Sequence, residues 1–146
     1  MPKIERSALV GQSAERMFAL VNDVAAYPRR FAWCDEAVIE EDTPSRMVAR
    51  LDLGLGALRT WFTTENTLSP PDAIDMQLRD GPFKSLHGRW TFTTLGDGGG
   101  CKVSLVLEFE PKSRLMLPAL TLGFRGLADR MVDDFVRVAE REPEES

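Results

Sequence analysis

The side chains of this sequence that could carry chemistry are few. Its one histidine, His87, and its two cysteines, Cys34 and Cys101, are scattered, with no zinc-ligand spacing between them. Carboxylates alone could hold a hard cation, but no calcium-loop pattern occurs. No Gly-x-Ser-x-Gly is present, so a nucleophile elbow has no support. Gly54-Leu55-Gly56 and Gly96-Asp97-Gly98-Gly99-Gly100 could suggest phosphate loops, yet neither is followed by Lys-Ser/Thr, and both read as hairpin turns. The acidic run Glu40-Glu41-Asp42 reads as a solvated turn at a strand end, and His87 as a solvent-facing strand residue. Metal ligands and catalytic residues are therefore not assigned, and the sequence points to binding rather than catalysis.

Asn66 stands apart. It shares a strand face with Phe62 and Leu68, so its amide points inward. A buried amide needs hydrogen-bond partners, and these are either the protein itself or the polar head of a ligand. Around it the large apolar side chains form a second candidate set. Tyr27, Phe31, Trp33, Phe83, Trp90 and Phe92 fall on segments that face one interior. Leu51, Met76 and Leu107 join them from strands, and Leu120, Phe124 and Met131 from a helix. Such residues form either an ordinary core or the lining of an apolar cavity.

The elements that position these residues follow from hydrophobic period. Lys3 to Val10 reads as a strand. Ser13 is an N-cap for a helix through Asn22, with Glu15 in its first turn. Asp23 is placed to cap a second short helix that stops at Pro28. From Trp33 to Phe109 apolar residues alternate with polar ones, as in Met47-x-Ala49-x-Leu51-x-Leu53 and Val103-x-Leu105-x-Leu107-x-Phe109, with Val48, Thr63 and their like turned outward. Pro- and Gly-rich turns divide this region into about six antiparallel strands. Leu117, Leu120, Phe124, Leu127, Met131, Phe135 and Val138 then return to helical spacing, predicting a helix from Pro118 to Arg141 of roughly 36 Å. The acidic end, Glu142 to Ser146, reads as a frayed tail. The predicted class is α+β: a curved antiparallel sheet wrapped around a long C-terminal helix, the helix-grip arrangement, with residues 1–146 as one domain.

Composition sets further bounds. The net charge of −5 disfavours nucleic acid as a dominant partner. No apolar run approaches the ~18 residues needed to span a bilayer. The first residues lack the apolar core of a signal peptide, which gives a cytoplasmic expectation with Cys34 and Cys101 as buried free thiols. Leu115-Met116-Leu117 is apolar on all sides and is the candidate for contact with the inner face of a membrane, aided by Arg114, Arg29 and Arg30.

Taken together, several stretches resemble the START-like family that includes the bacterial ribosome association toxins (RatA) and the mitochondrial coenzyme Q-binding proteins, within the polyketide cyclase/START superfamily. They are Ile4 to Val10 with Ser13-Ala14-Glu15, Leu20 to Val24 with Tyr27-Pro28, Phe62 to Asn66, Asp80 to Lys84 with Leu86, Gly88, Trp90 and Phe92, and Met131-Val132 with Phe135. The resemblance implies a helix-grip fold and two functions. One is binding ubiquinone or a related polyprenyl lipid, as a chaperone supporting respiration. The other is blocking ribosomal subunit association. A cyclase-like activity would need polar groups in the cavity, for which Asn66 is the one candidate. The chain departs from the family where Arg30-Phe31-Ala32-Trp33-Cys34 replaces a Phe-Leu-Pro-Trp-Cys-like stretch. It also departs at Glu65 and Val138, where basic residues are expected, and so offers less positive charge to RNA. The preferred expectation is a quinone-type ligand and no other cofactor, with the ribosome as the alternative partner.

Overall fold

A computed structural model describes residues 2–141, with the side chain of Leu55 excepted. The expected tail at 142–146 lies outside the described residues. Strand β1 (Lys3–Val10) leads into helix α1 (Ala14–Asn22). Ser13 caps α1 as expected, its Oγ accepting the Arg16 N–H at 3.1 Å, and Met17, Phe18, Leu20 and Val21 form the buried face.

The next turn differs from expectation. A 3-10 turn at Val24–Ala26 runs directly into helix α2 (Tyr27–Arg30), and Pro28 sits in the first turn of α2 instead of ending a helix. Tyr27 adopts the right-handed helical region despite preceding proline. Full burial of its ring and donation of its hydroxyl to the Val21 carbonyl offset that local preference. Asp23 makes no side-chain cap; its carboxylate accepts from Arg30 at 3.2 Å.

Six strands follow: β2 (Cys34–Thr43), β3 (Arg46–Leu55), β4 (Leu58–Ser69), β5 (Ala73–Asp80), β6 (Phe83–Leu95) and β7 (Gly100–Pro111). They pair antiparallel in the order β1-β7-β6-β5-β4-β3-β2, so the first strand closes onto the last. Gly81 takes a positive φ of 141° in the β5–β6 turn, where its N–H meets the Asp80 carboxylate at 2.9 Å. The inward face follows the predicted alternation with two local exceptions. Thr63 is buried although its period places it outside; a register shift against β5 falls between Thr63 and Thr64 and breaks the alternation there. Val48 is buried as well, beside a shift in β2 between Ile39 and Glu41.

After a 3-10 turn at Arg114–Met116, helix α3 (Leu117–Arg141) lies against β1, β7, β3 and β4, so the sheet curves around it from both sides. Leu120, Phe124, Leu127, Ala128, Val132, Phe135 and Ala139 are its buried stripe, while Leu117, Met131 and Val138 sit half-buried at the margins. Aromatic contacts fasten helix to sheet: Phe124 lies 4.7 Å from Phe109, and Phe135 meets Trp90 edge-on at 5.5 Å. Arg6 of β1 pairs with Asp129 of α3. Cys34 and Cys101 are free and buried.

Candidate functional site

The core does not close where α1, the sheet and α3 converge. A cavity of about 50 Å³ remains there. Nine of the residues expected to line it do so. Leu51, Phe62, Asn66, Met76, Trp90 and Leu107 come from five strands, and Tyr27, Phe124 and Met131 from the helices. The inward period of β3, β4, β5, β6 and β7 brings the strand residues to one place, and the spacing of Phe124 and Met131 brings two turns of α3 over them.

The other five expected residues lie elsewhere. Phe31 and Trp33 stack 4.8 Å apart with Phe135 across their edges, and Trp33 Nε1 donates to Asp134 Oδ2 at 2.9 Å. They tie the start of β2 to the C-terminal half of α3. Phe83 is held among Phe62, Phe109 and Phe124. Phe92 packs between Phe18 and Trp90, and Leu120 is buried in the α3 stripe. All five are close-packed core, because their neighbours fill the space that a ligand would need.

The polar part of the cavity is small and specific. Thr64 Oγ1 donates to Asn66 Oδ1 at 2.7 Å, both on the inward face of β4. Asn22, the last residue of α1, also lines the cavity, and its buried Oδ1 has no hydrogen-bond partner among the described residues. A buried acceptor left without any donor costs about 1–3 kcal/mol. Thr64 and Asn22 were absent from the sequence candidates. Thr64 shares the period of Phe62 and Asn66, a signal strong enough to find it. Asn22 lies one turn after Phe18 on the buried face of α1, a weaker signal for a polar helix-terminal residue.

Tyr27 contributes its ring alone. Its hydroxyl is committed to the Val21 carbonyl, and burial first, then Cys34 and Asp23, holds its pKa well above the ordinary phenol value. Among the described lining residues there is no Asp, Glu, His, Lys, Arg or Cys. The cavity thus offers apolar contact, amide and hydroxyl hydrogen bonds, and no group that exchanges a proton near neutrality. His87 lies on the outer sheet face, its Nε2 3.1 Å from Asp75 Oδ1. Burial acts to raise the Asp75 pKa, but hydrogen bonds from His87 and Arg89 prevail and lower it. On the same face Arg46 and Arg79 hold Glu65 at about 2. Among the described residues no cluster of three potential metal ligands occurs.

At the start of α3, Leu115 is 91% exposed and Met116 37% exposed, whereas Leu117 is half-buried beside Pro2 and Glu110. Leu117 therefore does not share the outward face expected for all three. No helix among the described residues is long and apolar enough to cross a membrane.

Comparison with known proteins places this architecture. The ribosome association toxin RatA of Vibrio cholerae is 45% identical over 141 residues, covering 97% of each chain. The mitochondrial coenzyme Q-binding protein COQ10 of Drosophila melanogaster is 27% identical over 139 residues; the match covers 93% of this chain and 57% of COQ10. Among solved structures, the ZhuI aromatase/cyclase of Streptomyces sp. R1128 superposes with a TM-score of 0.82 at 20% identity, over 98% of this chain and 96% of that one, a likeness of fold. The model of the family described as polyketide cyclase/dehydrase and lipid transport matches residues 10–136, and the chain belongs to that family.

Proposed function

We infer that this protein binds a mostly apolar small molecule in the cavity between sheet and α3, with a polar head toward Asn22, Thr64 and Asn66. The observation that carries this reading is the lining itself: aromatic and aliphatic side chains from every layer around one unpartnered buried acceptor. A buried acceptor calls for a hydrogen-bond donor, and the head of a ligand can supply one. The reduced, quinol form of a ubiquinone or related polyprenyl compound, whose hydroxyls can donate to Asn22 Oδ1, suits this chemistry, and the coenzyme Q-binding relative supports the choice. A described lining with no group that titrates near neutrality favours carriage over catalysis. At about 50 Å³ the cavity is smaller than the ~300–1,000 Å³ of sites for drug-sized ligands. Binding therefore includes movement of flexible lining side chains, Met76 and Met131 first, and a long tail extends beyond the cavity.

The test is mass spectrometry of an organic extract of protein purified from its own host. A quinone or other isoprenoid at near-stoichiometric amount supports the reading, and recovery of polar metabolites alone would sink it. A second reading, action on the ribosome, is favoured by the 45% identity across the full length of a ribosome association toxin. Sucrose-gradient sedimentation separates the two: a stoichiometric complex with ribosomal subunits in lipid-free protein supports the toxin reading.

A further inference from the structure

Residues 112–128 hold Lys112, Arg114 and Arg125 and contain no Asp or Glu, in a chain whose net charge is −5. All three cations are exposed. The same stretch displays apolar side chains to solvent: Leu115 is 91% exposed, Leu122 75% and Met116 37%. Pro118 and Ala119 between them are exposed too. Meanwhile Leu120, Phe124 and Leu127 of the same turns point into the core. The beginning of α3 thus buries one apolar face in the protein and leaves a second one in water, flanked by positive charge.

Among the described residues none covers Leu115 or Leu122. Three partners would cover them. A second copy, meeting this face with its own, would set like charges against each other. RNA would use the cations and leave Leu115 and Leu122 idle. A bilayer surface carrying anionic lipid uses both, with leucines at the boundary of headgroups and acyl chains and bases against phosphates. Glu110 shares a surface cleft with Arg114, and Asp129, one turn after Arg125, is paired with Arg6 of β1.

We propose that the segment from Lys112 to Arg125 docks flat on an anionic membrane surface, with Leu115, Met116 and Leu122 inserted shallowly. This goes beyond the cavity reading and does not depend on it.

Flotation of the full chain with phosphatidylcholine vesicles, with and without roughly 30% phosphatidylglycerol, tests the proposal. Binding is expected with the anionic vesicles alone. Arg114→Gln and Arg125→Gln should each weaken it about fivefold. Leu115→Asp with Leu122→Asp should abolish it, and the milder Leu115→Ser should reduce it should the double variant melt early. Leu9→Asp is the control: Leu9 is 71% exposed but lies at the opposite end of β7, and this variant should float like wild type. Failure to float with anionic vesicles overturns the proposal, as does flotation indifferent to the leucine variants or equally sensitive to Leu9→Asp. Loss of self-association in sedimentation velocity, with flotation unaffected, would assign the face to a second copy. Ribosome co-sedimentation that falls with the arginine variants alone, in protein that does not float, would assign it to RNA.

Discussion

Gly88 gives the sharpest handle on the cavity. It sits on the inward face of β6, opposite Met76 of β5, and a Cβ built there would lie 2.4 Å from Met76 Cε and 3.5 Å from Leu107 Cδ1. Ordinary contact begins at 3.4 Å, so the Met76 terminus must retreat by about 1 Å in Gly88→Ala. Met76 and Leu107 both line the cavity, so the methyl and the displaced thioether compete for its 50 Å³. Overpacking of a rigid site costs about 1–3 kcal/mol. Here the atom in the way is the end of a flexible side chain beside open space, and replacing glycine in a strand returns roughly 0.5–1 kcal/mol. The melting temperature should therefore stay within about 3 °C of wild type. Ligand affinity should fall at least tenfold, about 1.4 kcal/mol, since an occupant loses both volume and contacts. Titration with a short-chain ubiquinone, followed by quenching of tryptophan fluorescence and by calorimetry, measures this directly. Unchanged affinity in a variant of unchanged stability would show that ligand does not occupy the space under Met76. A large drop in melting temperature would show that Gly88 serves close packing alone.

Three further outcomes are expected. Asn22→Leu removes the unpartnered acceptor and should raise the melting temperature of ligand-free protein by a few degrees, while lowering affinity for a 4-alkylphenol more than for its methyl ether, which has no hydroxyl to donate. An equal loss for both compounds would mean that Asn22 does not meet the hydroxyl. Trp33→Phe deletes the bond to Asp134 and should cost about 1.5–3 kcal/mol in chemical denaturation with ligand affinity unchanged, because Trp33 lies outside the cavity. Burial pushes the Cys34 thiol up to about 11 from an ordinary 9.0, with a hydrogen bond from the Glu36 backbone opposing and Asp35 and Asp52 adding. Its folded pKa is the higher one, so its contribution is complete below pH 9 and is lost as pH rises toward 11. Melting temperature should fall across that window, and less steeply in Cys34→Ala.

The period-two stretches placed β3 to β7 and the inward face of each, because one buried face forces alternation. The long spacing of Leu120, Phe124, Leu127 and Phe135 placed α3 for the corresponding reason. What alternation could not carry was the pair of register shifts that bury Thr63 and Val48, since a shift is a relation between two strands and leaves no mark on either one. Pro28 misled in another way. The avoidance of the helical region before proline is a local preference, and the interior contacts of Tyr27 outweighed it.

The cavity was legible in part, and the division follows from geometry. Period assigns a residue to the inner face but says nothing of its depth along the strand or of what opposes it. Phe62 and Phe83 are both inward aromatics. Phe62 reaches the cavity, while Phe83 meets Phe109 and Phe124 and fills its own surroundings. Trp90 and Phe92 are neighbours on one face of β6, yet Phe92 is closed off by Phe18 from α1. A void exists where side chains from three or more elements fail to meet, so it belongs to none of their sequences separately. Polar residues escape part of this ambiguity. An inward amide or hydroxyl must find a partner wherever it lies, and Asn66 found one in Thr64. Asn22 finds none among the described residues, and with Thr64 and Asn66 it forms the polar side of a mostly apolar lining.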